Sequence, residues 1–357
     1  MEGLPGWLLR RLLVAPLIPV LAALALTLSV LVLVGSAVAC PVIALVRGDS
    51  PRWRLLRVTC FALAYLLGEI VSMAVCLGLW IGSGFGWRLR SGWCVRAHRW
   101  LLRGFLGAVV LIARPLFGFR LVVDEPSRHP QDLLRAQASD PLLVLARHAG
   151  PGASFALVHL LISRYSRAAH VVLTDRLRLD PAVDLLLTRT DCTWIPSGSG
   201  RGEEGLRRIG AAAAGLCAGQ ALVLFPEGAD WTPVRHLRAV ARLRGHGRLL
   251  EARRALRMPH VLPPRPAGTL AALRAAPDAD VLIFTHTGHD ALLDAASAWA
   301  ALPLCNPLHM MWWREAGEDV PDADERAASA WLQQTWEHID AWIGEQQQLT
   351  AARASAV

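Results

Sequence analysis

The sequence predicts an α/β domain, a mixed and largely parallel sheet flanked by helices, behind an N-terminal apolar membrane-anchoring helical hairpin. Two patterns carry that expectation. Residues Leu12 to Val46 contain no charge and Val58 to Ile81 contain only Glu69, whereas a bilayer-spanning helix needs ~20 predominantly apolar residues. From Pro141 onward, short apolar runs (Leu142–Leu145, Val171–Leu173, Ala221–Phe225 and Val281–Phe284) alternate with longer helical patterns (Ser154–Arg164, Glu203–Cys217, Val234–Leu256). Strands that are apolar on both faces and separated by helices belong to buried, parallel sheets.

Each segment follows from its composition. Arg10 and Arg11 precede the first apolar run as they would a secretory signal, but a signal's apolar core is only about 7–15 residues long, so a retained anchor is expected. Arginines flank both ends of the second run, which leaves a two-pass arrangement and a hairpin dipping into one leaflet both open. Trp100 to Phe119 reads as a further apolar or interfacial helix interrupted by Gly104, Gly107 and Arg114-Pro115. A short strand and turn follow at Phe119–Pro130, then a polar helix over Gln131–Ala138. Trp331, Leu332, Trp336, Ile339 and Trp342 recur at helical spacing near the C-terminus. The expected divisions are 1–119 for membrane-anchoring and interfacial helices, 120–345 for the α/β domain and 346–357 for a polar tail.

Composition narrows the chemistry. The chain of 357 residues is 54% apolar with a net charge of +8 and a mean hydropathy of +0.35. All 37 of its basic residues are arginine, which excludes a P-loop lysine and a Schiff-base lysine. Juxtamembrane arginines suit anionic lipid headgroups, so membrane lipids are the expected partner and nucleic acid is not. Five of the 14 tryptophans (Trp53, Trp80, Trp87, Trp93 and Trp100) lie near the ends of apolar segments, as in interfacial belts. Seven cysteines without repeated close spacing point away from a disulfide framework or zinc site. The expected location is the membrane, with the α/β domain facing the cytoplasm.

Three loops at strand ends hold the chemistry, and ligands of such sheets bind beyond the carboxyl ends of strands. In "RHAGPGAS", Arg147 and His148 end a strand, and Gly150-Pro151-Gly152 turn the chain toward a helix for which Ser154 is the expected N-cap. Histidine is the side chain whose ordinary pKa suits a general base near neutrality. In "IPSGSGRGEEGLRRIG", Gly200 and Arg201 precede a helix N-terminus, a combination suited to a phosphate or a phospholipid headgroup. In "LVLFPEGADWTP", Glu227 directly follows a buried strand, where an unpaired carboxylate would be costly. Read individually, these stretches also fit a loop histidine, a glycine linker and a strand-capping glutamate. There is no G-x-S-x-G elbow, and His286 and His289 in "THTGHD" read as a polar strand-end turn rather than a metal pair.

Taken in order, the His148 loop, the basic glycine loop, Phe225-Pro226-Glu227-Gly228 and "HVLPPRP" at His260–Pro266 resemble the glycerolipid acyltransferase family, the lysophosphatidate acyltransferases and their relatives, over about Asp140 to Pro266. The resemblance implies acyl-CoA or acyl carrier protein as donor, a lysophospholipid or glycerolipid hydroxyl as acceptor, and neither metal nor cofactor. It implies His148, as the base, and Glu227 as the catalytic residues, with Arg147, Arg201, Gly200, Phe225, Pro226 and Gly228 in substrate binding. The family's histidine is oriented by an aspartate five residues on, and Ala153 stands there. Arg147 replaces the family asparagine, and Ala229 and Asp230 replace its threonine and arginine. Arg201 or Arg235 could supply the lost cation. Either another group, such as Asp175, Asp230 or Ser154, orients His148, or His148 acts alone in a weakened enzyme, or the chain is an inactive relative serving as a lipid- or acyl-CoA-binding scaffold.

Overall fold

A computed structural model of the chain describes residues 16–47, 53–124, 140–150, 152–190, 192–196, 202–321 and 324–355. The expected polar helix at Gln131–Ala138 lies outside them. The chain divides into two compact units.

The first unit comprises residues up to Arg120 together with Leu173–Cys192 and Ala296–Cys305. Three of its helices are long and apolar enough to cross a membrane: α1 (Leu17–Arg47), α2 (Arg54–Gly82) and α3 (Gly92–Phe117). The expected hairpin is therefore joined by a third long apolar helix. Gly104, Gly107 and Pro115 do not break α3. Pro115 sits in the last turn, where the carbonyls of Pro115 and Leu116 lack helical partners and take the Arg57 guanidinium at 3.0 and 2.7 Å. Within the same unit, a 3₁₀ turn opened by Asp175 leads to Asp180, whose side chain caps a short helix, α5 (Pro181–Arg189), by accepting from Val183 N–H at 2.9 Å. Asp180 also accepts from the Tyr65 hydroxyl of α2 at 3.1 Å.

The second unit is built on a seven-stranded sheet among the described residues. Its strands are β1 (Leu121–Asp124), β2 (Leu142–Ala146), β3 (Ala168–Thr174), β4 (Thr193–Ile195), β5 (Gln220–Leu224), β6 (Asp280–Thr287) and β7 (Leu308–Glu315), in the spatial order β1-β7-β6-β2-β5-β3-β4. β1–β7, β2–β5, β2–β6 and β3–β5 pair in parallel and β6–β7 pairs antiparallel, so the sheet is mixed and mostly parallel. β2 is central because its five residues are all apolar and all buried. Side chains alternate across a strand: Leu143 and Leu145 meet Leu222, Leu224, Val281 and Ile283 in one core layer. That layer is covered by α6 (Gly202–Ala214) through Ile209, α9 (Pro266–Ala275) through Leu273 and α11 (Glu325–Ser355) through Trp336, Ile339 and Ile343. The tryptophan stripe read in the sequence is thus α11's core face.

Two expectations about helices are corrected. The helix after the His148 loop, α4 (Ala153–Ser163), starts one residue before Ser154. Its N-cap is Gly152, at φ 84°, with no side-chain cap. The stretch Val234–Leu256 is two helices, α7 (Pro233–Gly245) and α8 (Leu249–Leu256), turned by Gly247 at φ 72°. Glycine tolerates that left-handed conformation, which strains other residues. The remaining helix, α10 (Ala295–Ala301), is short.

Candidate functional site

Adjacent strands bring the loops together. β2 pairs in parallel with β5 on one side, Leu142 to Ala221 through Leu145 to Leu224, and with β6 on the other, Leu142 to Asp280 through Ala146 to Phe284. The carboxyl ends of all three therefore open at the same edge. Arg147-His148 leaves β2 there, Phe225-Pro226-Glu227-Gly228 leaves β5, and Gly288-His289-Asp290 leaves β6.

The β5 loop grips His148 at three points. The His148 amide donates to Glu227 Oε1 at 3.2 Å, the His148 carbonyl accepts from the Trp231 amide at 2.7 Å, and between these contacts His148 Nδ1 lies 2.7 Å from Asp230 Oδ1. The Phe225 ring packs on the imidazole with centroids 4.6 Å apart. The loop can do this because Gly228, at φ 69°, closes a turn in which its amide donates to the Phe225 carbonyl at 2.9 Å. A carboxylate at Nδ1 holds the proton on that nitrogen and leaves the basic lone pair on Nε2. The hydrogen bond to His148 holds the Asp230 carboxyl below the usual carboxylate range, aided by the charge of Arg235, whose Nη1 is 3.8 Å from Asp230 Oδ2.

Glu227 is buried. Its other oxygen, Oε2, accepts from the Leu262 amide at 3.0 Å, and Arg265 N–H donates to the Pro226 carbonyl at 2.9 Å, so "HVLPPRP" is laced to the β5 loop. Burial pushes the Glu227 carboxyl up to about 7, against the opposing charge of Arg147 and the two amide donors. Both of its oxygens therefore accept from backbone amides.

The Arg147 side chain is fully buried. Nη1 donates to the His286 carbonyl at 2.6 Å and to Asp290 Oδ1 at 2.5 Å, and Nη2 donates to the His260 carbonyl at 2.7 Å. A guanidinium suits this task because its fork of donors can serve several acceptors at once. Burial alone would raise the Asp290 carboxyl, but Arg147 and the Thr287 hydroxyl outweigh it and hold it near 2. Burial pushes the His286 imidazole down to about 3, with the Arg147 charge acting in the same direction, so it is neutral. Asp340 extends the brace by accepting from the His260 amide at 2.7 Å.

The structure thus brings His148, Glu227, Arg147, Phe225, Pro226 and Gly228 together. Ala153 lies at the start of α4, buried. Gly200 and Arg201 fall outside the described residues. Of the groups considered as orienting His148, Asp230 is the one in contact with its ring. Asp290 and Asp340 were missed by sequence reasoning. The only signal for Asp290 was the polar "THTGHD" turn after a buried strand, and Asp340 sits unmarked in an amphipathic helix. His289 Nε2 is 3.3 Å from the Asn306 carbonyl. Among the described residues no group of three or more His, Cys, Asp or Glu side chains is gathered as a metal-binding set.

Fold and site together define an α/β protein with long apolar helices and a histidine–carboxylate pair at the carboxyl edge of its sheet. Neither the protein-family models nor the curated proteins compared with the chain match it.

Proposed function

We propose that the chain is a membrane acyltransferase, moving a fatty acyl group from acyl-CoA or acyl carrier protein to the hydroxyl of a lysophospholipid or glycerolipid. The observation that carries this reading is the 2.7 Å contact between His148 Nδ1 and Asp230 Oδ1. His148 Nε2 takes the acceptor's hydroxyl proton as the oxygen attacks the thioester carbonyl. The new C–O bond forms, the C–S bond breaks, and the proton passes to the leaving thiolate. Asp230 keeps the imidazole in the required tautomer and stabilises the imidazolium, the work a buried aspartate does in serine proteases, where its loss lowers kcat by about 10⁴.

Asp230 brings a carboxylate to His148 from the β5 loop, at the position where the enzymes the sequence resembles carry arginine, which supports the active-enzyme reading over the inactive scaffold. The loss of that arginine leaves Arg235, and Arg201 of the glycine loop, as the cations available to an acceptor's phosphate. The long apolar helices supply membrane attachment, consistent with a lipid acceptor.

Purified protein in detergent or nanodiscs, given acyl-CoA and a panel of lysolipid acceptors, tests the proposal. Wild type is expected to form the diacyl product and His148→Ala to lose it. Product formation at an undiminished rate by His148→Ala would remove the assigned base.

A further inference from the structure

Between the β5 loop and "HVLPPRP" the chain makes a helical hairpin, α7 and α8, that exposes apolar and basic side chains on the same surfaces. The hairpin has a miniature core of its own, Val240 against Ala252 and Ala255 with Leu243 beside them, and His236 Nε2 meets the Ala255 carbonyl at 2.9 Å. That core uses one narrow stripe of each helix. Away from it on α7, Val234, Leu237 and Ala241 recur at three- and four-residue spacing, which places them along one face. On α8, Leu249, Arg253 and Leu256 follow the same rule, with Leu250 next to them. Leu237 and Leu250 are each 61% exposed, and Val234 and Leu249 are exposed to a similar degree. Residues 233–257 hold eight arginines and one acid, Glu251, and Arg248 pairs with it. Arg238, Arg242, Arg244, Arg253 and Arg257 carry no carboxylate partner among the described ion pairs.

From this combination we infer that α7 and α8 form an interfacial device that seats the site-bearing unit on a bilayer surface rich in anionic phospholipid. Exposed leucines interleaved with arginines at helical spacing match what an interfacial helix needs, apolar groups for the acyl boundary and cations for the headgroups. Each arginine near an anionic surface strengthens attachment, and arginine stems can lie along apolar surface while their charged heads reach water. A nucleic acid would satisfy the cations but leave the leucines in water. Three helices long and apolar enough to span a membrane supply the bilayer in the same chain. The hairpin begins three residues after Asp230, so its seating would bring the His148 loop to the lipid surface. The inference stands on the hairpin and the long apolar helices and does not depend on the acyltransferase reading.

The test uses the full chain in nanodiscs with a spin label at Leu237→Cys or Leu250→Cys, the wild-type protein treated with the same label giving the background from its own cysteines. Collisional accessibility is read with oxygen, which concentrates in the acyl region, and with a water-soluble nickel chelate. In phosphatidylcholine discs containing phosphatidylglycerol, both labels are expected to favour oxygen over nickel. Arg242→Glu, Arg244→Glu and Arg253→Glu combined are expected to weaken seating on the order of a hundredfold and return the labels to water. Labels equally open to nickel in zwitterionic and anionic discs would overturn the inference, as would protection that arises only when a polyanionic protein or nucleic acid is added. Because the readout is immersion, it stands or falls separately from any acyl-transfer assay.

Discussion

Asp230 Oδ1 lies 2.7 Å from His148 Nδ1, although the two residues come from different loops on neighbouring strands. The β5 loop fixes that distance through the Glu227 and Trp231 contacts to the histidine's own amide and carbonyl. Ring and main chain of His148 are therefore held by one loop.

Restoring the motif is expected to gain nothing. Ala153 is buried at the first turn of α4, and the nitrogen its aspartate would serve is already taken. Ala153→Asp is expected to leave kcat within a few-fold of wild type and to lower the melting temperature, because a carboxylate replaces a packed methyl group. A large gain in acyl transfer would mean that Asp230 does not do the orienting.

Arg147 and Asp290 are expected to matter for folding first. Removing one member of a buried ion pair leaves the other uncompensated, at a cost of about 3–5 kcal/mol. Arg147→Met should show a loss of that order in chemical denaturation. Arg147→Lys is expected to recover little of it, since a single ammonium cannot reproduce the fork spanning Asp290 and the carbonyls of His286 and His260.

Glu227 gives stability a definite pH dependence. Its folded-state pKa, about 7, lies above the unfolded value near 4.5, so the folded state holds its proton more tightly and stability falls as pH rises through that window. The loss amounts to roughly 3 kcal/mol once the group is ionised. Glu227→Gln, though weaker overall through one lost amide contact, should show a flatter stability profile between pH 5 and 8. Asp290 acts in the opposite sense: held near 2, it contributes stability above its unfolded value that is lost as pH falls through about 4 toward 2. Unfolding curves across this range for wild type, Glu227→Gln and Asp290→Asn separate the two.

Gly150 and Gly152 both have positive φ, at 71° and 84°, but differ in their surroundings. A Cβ on Gly150 would meet the His289 carbonyl oxygen at 3.0 Å, whereas one on Gly152 would meet nothing within 4 Å. Gly152→Ala is expected to cost only the left-handed backbone strain, about 1–2 kcal/mol. Gly150→Ala should cost more and displace His148, seen as a larger fall in both melting temperature and turnover.

The parts legible in the sequence were those with local signatures. β2, β5 and β6 announced themselves as short apolar runs because they are buried on both faces, and the loop after each began with residues that do not suit a strand. β7 has no such signature, since its buried residues alternate with half-buried ones and it runs against its β6 neighbour. The third long helix was read as interrupted because glycine and proline weaken a helix by propensity. In α3 the proline falls in the last turn, where a broken ladder costs little, and Arg57 answers the free carbonyls. At the site, His148 and Glu227 were legible as polar residues ending apolar strands. The contact between Asp230 and His148 was not legible in the sequence, because the parallel register of β2 and β5 decides which carboxylate reaches Nδ1. The burial of Arg147 was not legible for a related reason: its partners Asp290 and His260 lie far along the chain, and a buried arginine reads like an exposed one.

Whether Asp230 makes His148 a competent base is tested most directly by turnover of Asp230→Asn with acyl-CoA and lysolipid. A fall in kcat on the order of 10³–10⁴-fold is expected with KM for acyl-CoA little changed, since Asn keeps the shape but not the charge that holds the tautomer. An Asp230→Asn protein that turns over at the wild-type rate would contradict it.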